Sequence, residues 1–141
     1  MPLFVSGARI AQASMSASLQ FSEADARIFV PDGMDRQSAL SRVTHLGIGA
    51  HQDDLEFMAV HGILACFDDP AQWFGGVTCT DGAGSSRSGA YAELSDAQMR
   101  ALRIEEQEKA ATVGGYGAMI QLMQPSSRIK DPADHSAADD L

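Results

Sequence analysis

Apolar and polar residues change rhythm several times along this chain, and each change marks an element. From His45 to Ala50 the sequence is a short apolar run, which predicts a buried strand. Glycines at 47 and 49 weaken its β propensity but let neighbouring backbone approach closely. Leu55, Met58, Ala59, Gly62, Ile63 and Cys66 then recur at three- and four-residue spacing. This predicts one helix over 54–67 with those residues on its buried face, ended by Asp68-Asp69-Pro70. Trp73 to Cys79 reads as a second buried strand, with Phe74 and Val77 in the core. A polar loop rich in Gly and Ser covers 80–93. If the two strands are parallel, it leaves the second beside the end of the first. Ser95-Asp96-Ala97-Gln98 has the spacing of a capping box and opens a long helix to about Val113. Glu105 and Lys109, four apart, are expected to pair on its exposed face. Gly114 and Gly115 stop the helix, Ala118 to Met123 is a third strand, Pro125-Ser126-Ser127 turns the chain, and Ala133 to Leu141 begins another helix.

The residues before His45 are less regular. Met1 to Ser18 is rich in Ala and Ser and reads as an extended arm. Leu19-Gln20-Phe21 and Arg27-Ile28-Phe29-Val30 carry β-type residues around a polar Ser22 to Ala26, the pattern of a hairpin or of two edge strands. Pro31-Asp32-Gly33 is a turn. Asp35 caps a short predicted helix to Val43, with Leu40 and Val43 as its apolar contacts.

Strand and helix patterns that alternate in this way imply an α/β fold with a mostly parallel sheet and right-handed crossovers. The chain stops inside its last predicted helix, and three parallel strands are few for an open sheet. The sequence therefore reads as the front part of a longer domain, incomplete at the C-terminus. Residues 1–44 form an N-terminal extension and 45–141 the domain portion.

Composition narrows the function. The chain has 141 residues, enough for one core, and 19 acidic against 10 basic side chains give a formal charge of −9. Such a balance argues against nucleic acid as a partner, because phosphate binding needs basic surface. Cys66 and Cys79 lie in apolar surroundings and read as buried thiols rather than a disulfide. No apolar run approaches the ~20 residues of a membrane span. The N-terminus lacks a basic region followed by an apolar core, so a cytoplasmic location is expected.

The densest group of chemistry-bearing side chains is His51, Asp53, Asp54 and Glu56, where the first strand ends and the helix begins. Two readings of these residues stand. An imidazole and two carboxylates at one turn suit a divalent metal such as zinc, one Asp binding it while the other takes a proton from water. The same residues also suit a helix N-cap with an acidic first turn and a surface histidine. The other motifs carry less. The glycines match no dinucleotide or Walker-type phosphate loop. Ser85, Ser86 and Ser88 lack a nucleophile elbow. The loop from Asp81 to Ser86 could cradle an anion through backbone N–H groups, or be an ordinary loop. His45, His61 and His135 read as structural or surface residues, and Arg103 with Glu106 as an intrahelical or solvated pair.

Taken together, the blocks resemble a known family. Ala50-His51-Gln52-Asp53-Asp54-Leu55-Glu56 after a Gly-rich strand is similar to the AHPDDE-type motif of the PIG-L/LmbE-like zinc-dependent N-deacetylases. Val77-Thr78-Cys79-Thr80-Asp81-Gly82 resembles that family's next block, and Arg103-Ile104-Glu105-Glu106 with Ala110, Ala111 and Gly114 its R-x-x-E-x-x-x-A helix. The similarity runs from His45 to Leu141. It implies a Rossmann-like three-layer α/β fold and a hydrolase that removes an N-acetyl group from an amino-sugar conjugate or similar small amide. His51 and Asp54 would bind Zn2+, Asp53 would be the general base, and Arg103 would line or position the substrate.

Two departures from the family pattern matter. Gln52 stands where the commoner motif has Pro, so the turn loses a residue that fixes φ. The third zinc ligand of the family, a His, comes from a later motif, and His135 sits in no matching one. A catalytic zinc usually has three protein ligands. The resemblance thus leaves open whether the 141-residue form is active. The alternative is a non-catalytic fragment, or a binding or scaffold protein of the same fold, for instance a homo-oligomer joined through an open sheet edge.

Overall fold

The computed structural model describes residues 19–141; the predicted arm at 1–18 lies outside the described residues. The chain is an α/β unit built on a four-stranded mixed sheet. In chain order the elements are β1 (Arg27–Phe29), α1 (Arg36–Ser41), β2 (His45–Gly49), α2 (Asp54–Met58), α3 (Val60–Cys66), β3 (Phe74–Thr80), α4 (Asp96–Val113), β4 (Ala118–Gln124), α5 (Ser126–Ile129) and α6 (Ser136–Asp140). The strand order is β1-β4-β3-β2. β2, β3 and β4 run parallel, and β1 lies antiparallel on β4 with Ile28 opposite Ile120.

Parallel strands buried on both faces read as continuous apolar runs, and β3 is buried at every position. Leu55, Ile63, Cys66, Phe74, Ala111, Tyr116 and Met119 form the main cluster, between the sheet and the helices α2, α3 and α4. The Phe74 and Tyr116 rings meet edge to face with centroids 4.8 Å apart. The approach of helix to sheet is close enough to require glycine. A Cβ on Gly47 would stand 2.6 Å from Cζ of Phe74 and 3.1 Å from Cδ2 of Leu55. On the opposite face Val77, Cys79 and Leu122 cluster with Phe21 and Ile120.

Several expectations hold. Asp35 caps α1, accepting from the Ser38 N–H at 3.0 Å. Ser95 and Gln98 make both bonds of a capping box at the start of α4. Gly115, at φ 63°, lets the chain leave α4 and turn into β4. Both cysteines are free and buried, and burial pushes their thiol pKa values up.

Other expectations are corrected. Leu19 to Phe21 is not a strand, and no hairpin forms. Arg27–Phe29 is an edge strand as expected, but β1 pairs with β4, some ninety residues on, while Phe21 packs against the cluster of Val77, Cys79 and Leu122. The sheet is therefore mixed, with β1 as an antiparallel edge. The single helix over 54–67 is two. Ala59, at φ −111° and ψ 14°, breaks it, and Met58 is exposed rather than buried. Glu105 and Lys109 form no ion pair; the salt bridge on α4 joins Arg103 to Glu106. The last predicted helix is the short α6, tied by Asp140, which accepts from Ser22 N–H at 2.9 Å and from Gln124 Nε2 at 3.0 Å.

Candidate functional site

β2 and β3 are parallel, so both deliver their carboxyl ends to the same edge of the sheet, where open α/β sheets bind ligands. The Thr80 N–H donates to Ala50 O at 2.9 Å and keeps the strand ends together. The chain then turns through His51, Gln52 and Asp53 into α2. Asp54 closes this turn: its Oδ2 accepts from the His51 backbone N–H at 2.8 Å. Nδ1 of the exposed His51 ring lies 3.4 Å from the same Oδ2. Asp53 holds the N-cap position but makes no side-chain capping bond, so it is not the helix cap that its type and position suggest.

Asp53 lies in the left-handed region, at φ 73° and ψ −16°, which is uncommon for a residue with a side chain. Three bonds from α4 hold it and its neighbour. Arg103 Nη2 donates to Oδ2 of Asp53 at 2.8 Å and to Gln52 O at 3.0 Å, and Oε1 of Gln107 accepts the Asp53 N–H at 3.0 Å. Arg103 also pairs with Glu106. Burial pulls the Arg103 pKa down, but the bonds and charges of Asp53 and Glu106 outweigh it, so the guanidinium ends above its usual value. Behind this layer Gln107 Nε2 donates to Oε1 of Glu56 at 3.1 Å, and the Tyr116 hydroxyl donates to the same atom at 2.7 Å.

A polar cleft of about 560 Å³ opens in front of the turn, lined by His51, Asp54, Thr80, Gly82, Arg103 and Lys130 among others. Asp53 is not among its lining residues; its carboxylate is turned toward Arg103. Arg103 borders the cleft, but its donors are largely engaged by Asp53, Gln52 and Glu106. The hydroxyl of Thr80 is buried beside the cleft with no hydrogen-bond partner among the described residues. The loop that could have cradled an anion satisfies two of its N–H groups internally. Ala83 N–H donates to Asp81 Oδ1 at 3.0 Å and Ser85 N–H to Gly82 O at 3.0 Å. His45 sits at the other end of β2 beside Thr44, and His61 and His135 do not line the cleft.

Three buried side chains to which the sequence assigned no structural role at the turn, Gln52, Asp81 and Gln107, help to build the site. Gln52 is buried and its Nε2 donates to Thr80 O at 3.0 Å, which straps the turn to the end of β3. Asp81, also buried, is held by Arg100 Nη2 at 2.7 Å. Gln107 is fully buried in the middle of α4. Its position was legible in principle, since Met99, Arg103, Gln107 and Ala111 recur every four residues and form the inward stripe of α4.

His51 and Asp54 supply one nitrogen and one oxygen donor of the kind zinc takes. No group of three or more His, Cys, Asp or Glu side chains that could hold a metal occurs among the described residues. The donor chemistry thus fits two corners of a zinc site and leaves the others to groups outside this set. No helix among the described residues is long and apolar enough to cross a membrane. Comparison with protein-family models, with curated proteins and with solved structures gave no significant match.

Proposed function

We propose that this chain is a zinc-dependent N-deacetylase of Rossmann-like, three-layer architecture, acting on an N-acetylated amino sugar or similar small amide. The observation that carries this reading is the 3.4 Å approach of His51 Nδ1 to Asp54 Oδ2 at the mouth of the polar cleft, with Asp53 between them in sequence. Zinc bound there would polarise the amide carbonyl and acidify the attacking water. His51 and Asp54 would be its ligands from this chain. Asp53, whose Oδ2 is held by Arg103 outside the cleft lining, would have to present Oδ1 to the cleft to accept the proton of the attacking water. Arg103 then acts by fixing this carboxylate rather than by gripping substrate.

Zinc titration of the full chain, beside a deacetylation assay on an N-acetylglucosamine conjugate, tests the proposal. His51→Ala and Asp54→Ala should each weaken zinc binding. Asp53→Asn should leave binding largely intact and remove turnover. Zinc affinity that survives both ligand substitutions would sink the assignment.

A second reading has its own observation. β2 is an edge strand with no neighbour on its outer side among the described residues, and its Leu46 and Ile48 are 60% and 49% exposed. An apolar groove of about 430 Å³ runs over this face, bordered by Phe21, Leu40, Val43 and Leu122. Such an edge fits an assembly role in which another strand completes the sheet. Solution mass separates the two readings if zinc binding fails.

A further inference from the structure

We infer that Gln107 is a positioning residue, which holds Asp53 in its left-handed conformation and so sets the direction of the Asp53 carboxylate; this rests on the deacetylase reading for its functional meaning. Left-handed backbone at a non-glycine residue is sterically disfavoured. It persists where surrounding contacts over-determine it. Here the contact is specific. Oε1 of Gln107 accepts the Asp53 N–H at 3.0 Å, from a side chain with no exposed surface.

The amide of Gln107 has little freedom to flip. Its Nε2 faces Oε1 of Glu56, an acceptor already engaged by the Tyr116 hydroxyl at 2.7 Å. A flipped amide would set its oxygen against the Glu56 carboxylate and its NH2 against the Asp53 N–H, losing both bonds. Tyr116 and Glu56 therefore fix Gln107, and Gln107 fixes the Asp53 backbone. One helical turn earlier, Arg103 grips the Asp53 carboxylate and Gln52 O. Residues four apart share a helix face. The pair thus clamps one turn by its backbone donor, its backbone acceptor and its side chain. A methionine at 107 would fill similar space and accept no such bond.

The test is amide hydrogen exchange by NMR on the full chain, with Gln107→Met and Gln107→Glu beside the wild type. Glutamate keeps an oxygen acceptor for the Asp53 N–H and, protonated on its other oxygen, a donor for Glu56. In Gln107→Met the Asp53 amide should exchange at least about tenfold faster and its HN–Hα coupling should change, while amides in the middle of α4 and in β3 keep their protection. In Gln107→Glu the Asp53 amide should stay protected. If zinc-loaded protein turns over an N-acetylglucosamine conjugate, Gln107→Met should lower kcat about 10–100-fold with KM unchanged. An unmoved Asp53 amide in Gln107→Met overturns the inference, and so does a loosening spread evenly over α4 and the sheet. The two readings fail separately. A responsive Asp53 amide in a chain that binds no zinc supports the positioning role and rejects the deacetylase.

Discussion

Arg100 reaches back from the first turns of α4 to the carboxylate of Asp81, with Nη2 donating to Oδ2 at 2.7 Å, and so fixes the loop that leaves β3. The Asp81 side chain is only 5% exposed, while Arg100 keeps 40% of its surface. Its N–H donates to Gln124 O and its Oδ1 accepts from Ala83 N–H, which ties the ends of β3 and β4 and the loop into one unit.

Removing Arg100 should leave that buried carboxylate short of its cation. Breaking a fully buried pair costs about 3–5 kcal/mol, and the exposure of Arg100 reduces this. Arg100→Met should therefore destabilise the chain by roughly 2 kcal/mol. Urea unfolding at neutral pH checks this, and an unchanged midpoint would mean that the pair contributes nothing.

Tyr116 predicts a stability that depends on pH. Burial first, then the bond to Glu56 and its negative charge, push the phenol pKa far above its ordinary value near 10. The unfolded chain thus releases this proton before the folded one. The contribution is whole below about pH 10 and is lost as pH rises beyond it toward the folded value. Tyr116→Phe should cost about 1.5–3 kcal/mol at neutral pH, the usual range for a bond to a charged group. Above pH 10 its stability should fall less steeply than that of the wild type, as paired unfolding curves would show.

Gly82 lies at φ 75°, and a Cβ there would stand 2.8 Å from both Arg103 Cβ and Gln52 Oε1. Strain and overlap act together, and each alone is of order 1–3 kcal/mol. Gly82→Ala should destabilise by at least about 2 kcal/mol and displace Arg103 from Asp53. A thermal melt gives the first part, and the Asp53 amide resonance the second.

The edge strand predicts association. Leu46 and Ile48 present apolar side chains on a strand edge that has no neighbour among the described residues, a combination that invites a further strand. The chain should self-associate as concentration rises, and Ile48→Lys should shift the distribution toward monomer. Sedimentation equilibrium reads this directly, and a wild-type chain that stays monomeric at every concentration would reject it.

Local chemistry was legible from the sequence wherever it acts over a few residues. The spacing of Ser95 to Gln98 determined the start of α4, Asp35 the start of α1, and Gly114-Gly115 the end of α4. Short runs dominated by apolar residues marked the strands β2, β3 and β4, of which β3 is buried at every position and β2 leaves Leu46 and Ile48 exposed. The candidate ligands His51 and Asp54 were legible too, since one short turn brings them together.

Tertiary structure decided the rest. Nothing near Arg27 announces that it pairs opposite Gln121, because strand partners are chosen by packing across the whole sheet. Only the docking of α4 on the turn sets Arg103 and Gln107, some fifty residues away, against Asp53. The same docking converts Asp53 from a nominal helix cap into a residue held at φ 73° with its carboxylate on an arginine. A sequence determines such contacts only through the fold, since each depends on two elements whose positions neither segment fixes alone.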